Sequence, residues 1–353
     1  MATQEKRRVL ITGVSRFLGL RLAKRLESDE RIDALVGVDL EEPPVKIRGM
    51  EFIRADISSP MIARVLESMK IDTLVHSNIA STPARVGGRS QMKENNVIGT
   101  MQLLAAAQRA DRMKRVVMRS SSAVYGSVPG EPSLLPEDQT ARHADLSGYG
   151  RDCYEAETYA RDYGRRRPDV ALVILRTQNV IGPTVHTNMT DYFSLPAIPT
   201  AIGFDPRLQL LHEEDAVDAL YRSVMGDARG IFNIASDGVV FLSQAVRLMG
   251  KLPLPLLLPA AQTAAALLRR FGVIDFPPDQ LSLILFGRVL DTRRAKESLG
   301  FAPRYSTADC IEDFKEHHAA RDDGPASASY PAWERELFEY LRQRSQKEGQ
   351  GVS

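Results

Sequence analysis

Short apolar runs alternate with amphipathic stretches through the first half of the chain. Arg8-Val9-Leu10-Ile11 is apolar and β-branched and ends at Thr12-Gly13, a turn. Leu18, Leu22 and Leu26 then recur at helical spacing, which predicts a helix over 17–26. Val36–Asp39 and Met50–Arg54 read as the next two strands. Met61–Met69 reads as a helix with Pro60 at its start, and Thr73–His76 as a fourth strand. A loop rich in Gly, Ser and Pro over 81–90 leads into a long helix, Gln91–Arg109, and a fifth strand, Arg115–Ser120. An irregular stretch, Gly126–Leu146, precedes a helix over Tyr149–Arg166 and a sixth strand over Ala171–Arg176.

This alternation predicts an α/β fold: a Rossmann-type, doubly wound parallel sheet with a smaller C-terminal substrate lobe. After Gly182-Pro183 the loops lengthen and prolines cluster, although Glu213–Met225 still reads as a helix and Gly230–Ile234 as a strand. The expected division is 1–182 for a dinucleotide-binding domain, 183–320 mainly for the lobe, with some segments returning to the sheet, and 321–353 for a polar tail. Leu252–Leu268 carries no charge. Pro253, Pro255 and Pro259 interrupt it, so it reads as a loop feeding a buried helix over Ala260–Phe271 rather than as a membrane span. An apolar substrate or membrane-surface contact is the other reading of that run. A helix over Tyr330–Arg344 is expected in the tail.

Composition narrows the class without naming it. With 43% hydrophobic residues, 26% charged residues and a net charge of +1, the chain is expected to be globular, with no electrostatic case for nucleic acid or acidic membranes. Cys153 and Cys310 do not form a disulfide framework, and MATQEKRRVL carries no legible signal peptide; both fit a cytoplasmic protein. The six histidines are scattered, and His317-His318 is adjacent rather than at i, i+4, so no protein-bound metal is expected.

The chemistry begins at RVLITGVSRFLG. Strand, glycine turn and helix start place backbone N–H groups and a helix N-terminus around an anion. Asp39, at the end of the next apolar strand, can accept both ribose hydroxyls of an adenosine and repels a 2′-phosphate. Together they read as a dinucleotide site preferring NAD to NADP. Downstream, a hydroxyl cluster, Ser120-Ser121-Ser122, and the Tyr149 phenol fall near the carboxyl ends of the strands, where ligands of parallel sheets sit.

Several segments in order resemble the extended short-chain dehydrogenase/reductases, in particular the NAD-dependent epimerase/dehydratase family that includes UDP-glucose 4-epimerases, and within it an actinobacterial branch. Thr12-Gly13 to Gly19 resembles the family's cofactor turn, Asp39 its ribose acid, and Asp56-Ile57 the pair beside the adenine. Val75-His76 with Ala80, Asn96-Val97-Ile98-Gly99-Thr100, Leu175-Arg176 through Asn179-Val180-Ile181-Gly182-Pro183, His212 to Asp215, and Asp291 to Ala295 with Leu299-Gly300 match further motifs. The resemblance implies NAD as cofactor, held by Thr12, Gly13, Ser15, Arg16, Phe17, Leu18, Gly19, Asp39, Asp56, Ile57, Ser77, Asn96 and Tyr149. It implies Tyr149 and Ser121 as catalytic residues, and Ser122, Tyr125, Asn179, Arg207 and Arg288 as substrate-binding. It also implies a homodimer through Gln91–Arg109 and Tyr149–Arg166.

Three departures bear on activity. Arg16 stands where the family's turn has its middle glycine; it either points to solvent from a rearranged turn or contacts a cofactor phosphate or ribose, unless binding is lost. Cys153 stands at the family's catalytic lysine, one helical turn after Tyr149. A thiol carries no positive charge, yet moving a phenol from about 10 to about 7 takes roughly 4 kcal/mol. Arg119 and Arg176, at strand ends, are the candidate substitutes; Cys153 itself reads as a small buried residue or as a reactive thiol. Third, the arginine and R-x-G-D positions that grip the nucleotide diphosphate are absent, with Leu208 preceded by Arg207 at the first and Arg288 as the candidate near the second. The leading expectation is hydride transfer at a hydroxyl carbon of a sugar nucleotide. The alternatives are dehydrogenation of a lipid- or steroid-like alcohol, and a catalytically weakened NAD-binding sensor or partner-binding protein.

Overall fold

In the computed structural model, residues 6–82, 87–130, 132–139, 146, 148–258, 263 and 278–319 are described. The chain divides into Met1–Phe314 and Lys315–Ser353, the latter described only over 315–319, which is helical. The expected helices Ala260–Phe271 and Tyr330–Arg344 lie outside the described residues, apart from residue 263.

The first unit follows the alternation read from the sequence: β1 Arg7–Thr12, α1 Phe17–Leu26, β2 Ile32–Asp39, β3 Met50–Arg54, α2 Met61–Ser68 and β4 Thr73–His76. Then come α3 Arg89–Lys93, α4 Thr100–Arg109, β5 Arg115–Ser121, α5 Gly148–Arg166 and β6 Ala171–Thr177. Further along the chain follow β7 Val180–Ile181, α6 Asn188–Ser194, β8 Ala197–Ala201, β9 Arg207–Leu208, β10 Leu211–His212, α7 Glu213–Met225, β11 Gly230–Ile234, β12 Val240–Phe241, α8 Leu242–Leu248 and β13 Leu252–Leu256, of which α7 and β11 return to the main sheet. Seven parallel strands form the main sheet in the order β11-β6-β5-β4-β1-β2-β3. The order reverses between β1 and β4, so a crevice opens beyond their carboxyl ends.

Both faces of the sheet are buried, which is why its strands read as nearly continuous apolar runs. One face carries Leu10, Val36, Leu74 and Val116 against α2, α4 and α5; the other carries Ile11, Val75, Val117 and Phe232 against α1 and α7. A third cluster around Phe193, Leu210, Ile284 and Phe314 is the core of the lobe. Each fully buried phenylalanine in these clusters contributes about 2–3 kcal/mol by removal from water.

Two expectations need correction. The long helix over Gln91–Arg109 is interrupted by a π-helical turn, Glu94–Gly99. There Gly99 packs so closely on Ile57 that a Cβ would stand 2.7 Å from its Cδ1. The run from Leu252 does not begin as a loop: Leu252–Leu256 pairs in parallel with β8 despite Pro253 and Pro255. Its leucines 252 and 254 are exposed, so proline sits at a sheet edge, where its missing N–H is tolerated.

Candidate active site

The glycine turn after β1 is shaped by steric necessity. Gly13 has φ +74, and a Cβ there would stand 2.9 Å from the Asn78 backbone. A Cβ on Gly19 would lie 2.2 Å from the Gly13 carbonyl oxygen. Arg16 differs: its φ of −88 and ψ of 157 are extended backbone open to any residue, so the position does not require glycine. Its side chain is not turned out to solvent; with Phe17 and Leu18 it lines a cleft of about 260 Å³. Asp39, buried at the end of β2, accepts hydrogen bonds from the Ser15 N–H (3.1 Å), the Ser15 hydroxyl and the Leu40 N–H (2.8 Å).

A buried histidine ties the strand ends together. Thr100 Oγ1 donates to the Asn96 carbonyl, so it accepts from His76 Nε2–H at 2.8 Å, and His76 Nδ1 accepts from Thr12 Oγ1 at 2.8 Å. The ring is neutral. Burial, helped by the Arg119 charge, lowers its pKa from 6.5 to about 3. This histidine therefore contributes stability that is fully present above pH 6.5 and is lost as pH falls toward 3. In urea unfolding at pH 7 and pH 5, wild type is expected to lose about 2 kcal/mol more than His76→Asn; equal losses would contradict the neutral buried ring.

Asn96 does not face the cleft. Its side chain clamps the Ala80 backbone, accepting from Ala80 N (2.8 Å) and donating to Ala80 O (2.7 Å), while Asn95 donates to Asn78 O. These bonds hold the segment after β4, of which Ser77, Ile79 and Ala80 line the cleft. Ile57 is buried against Gly99, and exposed Asp56 caps Ser58 at 2.8 Å.

Opposite the turn, Ser121 ends β5 and caps a 3-10 turn over Ser122–Tyr125, accepting from Ala123 N at 3.2 Å. Gly150 lets α5 start against that turn, since a Cβ there would lie 2.6 Å from Ala123 O. The close approach sets Tyr149 beside Ser121 in the cleft, with Cys153 one turn further along α5. Burial drives the Tyr149 phenol and the Cys153 thiol well above their ordinary pKa values, so Cys153 is a neutral buried group. Arg119 stands on the same wall, with Nη2 donating to Ile79 O and, at 3.5 Å, to Ser77 O.

The structure separates the two arginines that the sequence leaves equal. Arg176 is buried in a network: it donates to Glu157 (2.8 Å to Oε2), to Tyr125 Oη (2.8 Å) and to Glu137 O (2.9 Å), and Glu157 also accepts from Ser120 and Arg161. Burial works against its charge, and Glu157 more than offsets it. It is committed there, away from Tyr149.

The residues expected to bind substrate are dispersed. Asn179 lines the cleft and accepts from Gln280 at 3.3 Å. Tyr125 does not line it; its hydroxyl is buried against Asn233 Oδ1 (2.7 Å). Ser122 is also buried, donating to Gln178, which in turn donates to Arg288 O. Arg207 and Arg288 line a different cleft, about 350 Å³, beside Phe204 and Phe286. Sequence reading missed Asn188 and Gln280. Asn188 is buried at the start of α6 and accepts from Thr82, while its Nδ2 has no hydrogen-bond partner among the described residues. No local pattern marks either residue, because each reaches the cleft from a different segment of the lobe.

The sequence profile described as "NAD dependent epimerase/dehydratase family" matches residues 9–235. The chain belongs to the NAD dependent epimerase/dehydratase family. An uncharacterized protein of Mycobacterium tuberculosis is 42% identical over 310 residues, covering 87% of this chain and 82% of that one. UDP-glucuronic acid decarboxylase 5 of Arabidopsis thaliana is 25% identical over 342 residues, with 88% and 90% covered. Among solved structures, MoeE5 in complex with UDP-glucuronic acid and NAD superposes with a TM-score of 0.68 at 22% identity, covering 89% of this chain and 99% of that one. UDP-glucose 4-epimerase of Thermotoga maritima with UDP-glucose gives 0.68 at 18%, with the same coverage. At those identities the structural likeness is one of fold. No helix among the described residues is long and apolar enough to cross a membrane.

Proposed function

We propose that this protein is an NAD-dependent epimerase or dehydratase of a sugar nucleotide, with Tyr149 as proton acceptor. The observation that carries the reading is the meeting of Tyr149 and Ser121 with the Arg16–Leu18 turn in one cleft. The residues fit NAD: Gly13 and Gly19 let the turn fold tightly so that the start of α1 faces the cleft through Arg16–Leu18, where a pyrophosphate would meet a helix N-terminus, and Asp39 is already oriented by Ser15. Glu41 and Glu42 follow Asp39 and disfavour a 2′-phosphate. Bound NAD supplies a hydride acceptor. Tyr149 takes the proton from a substrate hydroxyl, and Ser121 hydrogen-bonds the same oxygen as charge develops on it.

The substrate end of the cleft favours a polyhydroxyl ligand over a lipid or sterol. Ser81, Thr82, Gln178, Asn179, Asn188 and Gln280 line it, and Asn188 Nδ2 is a buried donor that a sugar oxygen would satisfy. The apolar run that suggested an oily substrate contributes none of the described lining residues. UDP-glucose, as in 4-epimerases, is the first candidate, and the resemblance extends to a homodimer through α4 and α5, which sedimentation would test.

Thermal melts with NAD, NADP, UDP and UDP-glucose provide the test. NAD at about a hundred times its Kd should stabilise the fold by roughly 2.7 kcal/mol, and UDP-glucose should add to it, whereas NADP should not. A fold indifferent to NAD, or one that answers to sterols and not to UDP-sugars, would overturn the proposal.

A further inference from the structure

We propose that Arg119, third from the end of β5, is the positioning cation that stabilises the Tyr149 phenolate and so lets this site take a proton at neutral pH. The inference rests on the reading of Tyr149 as proton acceptor.

A phenol in water ionises near 10, and a buried one higher, because burial penalises the anion. A positive charge facing the oxygen is the device that reverses this. The groups around Tyr149 supply few. On α5, Cys153 is a buried thiol one turn from Tyr149 that burial keeps neutral. Asp152, also on α5, is held by Arg89 at 2.6 and 2.7 Å, and Glu157 is held by Arg176, Arg161 and Ser120. On β4, His76 is neutral between Thr12 and Thr100. From the turn and the lobe, Arg16 and His186 also reach the cleft wall. Arg119 shares that wall, and its charge opposes the effect of burial at both Tyr149 and Cys153 and works against protonation of His76.

Its geometry suits the role. Arg119 Nη2 rests on the carbonyls of Ile79 and Ser77, in the segment that Asn95 and Asn96 clamp, so the head group is held without a carboxylate to neutralise it. Among the described residues Arg119 takes part in no ion pair, and its buried Nε has no hydrogen-bond partner. A cation kept uncompensated beside a phenol is costly to bury and has a use only if negative charge arrives.

The test reads the ionisation of Tyr149 directly and then turnover. Tyrosinate ultraviolet absorption is titrated in the full chain, with each variant referenced to the same variant carrying Tyr149→Phe, so that one of ten tyrosines is isolated. Arg119→Gln, which keeps a donor for Ile79 O, should raise the Tyr149 midpoint by about one pH unit or more and lower kcat/KM at pH 7 about tenfold, moving the acid limb of the profile by the same amount. Arg119→Lys should stay within about threefold of wild type. Arg119→Gln combined with Cys153→Lys, which returns a cation one turn along α5, should regain most of the loss. If Arg119→Gln does not fold, Arg119→Met gives the same comparison. An unmoved Tyr149 midpoint in a folded neutral variant overturns the inference, as does a loss in Arg119→Lys equal to that in Arg119→Gln. A shifted midpoint without turnover on any sugar nucleotide supports the charge role of Arg119 and overturns only the substrate reading.

Discussion

Replacing Tyr149 with phenylalanine should lower turnover by about a thousandfold while leaving NAD affinity within about twofold, the size expected when a general base is removed without disturbing the site. The substitution deletes one oxygen. The ring stays packed against the start of α5, and Ser121 keeps its bond from Ala123 N at 3.2 Å, so neither the 3-10 turn nor the cleft wall loses its support. The cofactor turn, built from Gly13, Arg16 and Gly19, is formed by other elements and is untouched. Turnover with NAD and a sugar nucleotide, alongside NAD titration by protein fluorescence, separates the two effects. Unchanged turnover in a variant that still binds NAD would remove Tyr149 from the mechanism.

The largest stability effect is expected at Glu157, not in the cleft. Glu157 is fully buried beneath Arg176, itself 3% exposed, and the pair also holds Tyr125, Ser120 and the Glu137 carbonyl. Glu157→Ala leaves a buried guanidinium without a counter-charge, at a cost of about 3–5 kcal/mol, or about 5–10 °C in Tm. Glu157→Gln, which retains hydrogen-bonding oxygen and removes only the charge, should lose less. The exposed pair of Arg54 and Glu42 at 3.3 Å is the control, for which Glu42→Ala should leave the melt unchanged. A loss at Glu157 no greater than at Glu42 would mean that water reaches Arg176 and that the network is not the anchor between α5, β6 and the segment after the 3-10 turn.

Much of the cofactor end was legible because its determinants are local. A strand, a glycine at positive φ, a helix start and an acid at the end of the next strand lie within Arg7–Asp39, and each is dictated by sterics or charge over a few residues. Element types through β6 followed from hydrophobic period alone, since a sheet covered on both faces demands apolar strands and one-sided helices. The lobe was read less fully. Its strands β7, β9, β10 and β12 are two residues long, too short for a period to show. The proline-bearing β13 reads as a loop until its partner β8 is seen.

By itself the sequence determined the fold class, the glycine turn, Asp39 and the absence of a charge at Cys153, because these depend on residue type at neighbouring positions. It could not choose between Arg119 and Arg176, both arginines near the ends of adjacent strands. In the paired register Arg119 stands opposite Leu175 and Ser120 opposite Arg176, so the two arginines are one step out of phase and leave opposite faces of the sheet. One face delivers Arg176 to Glu157 and a buried ion pair; the other leaves Arg119 at the carboxyl edge, on the wall of the cleft that holds Tyr149. That choice belongs to the tertiary structure, since a charge acts through space on whatever the fold sets beside it, however far away along the chain.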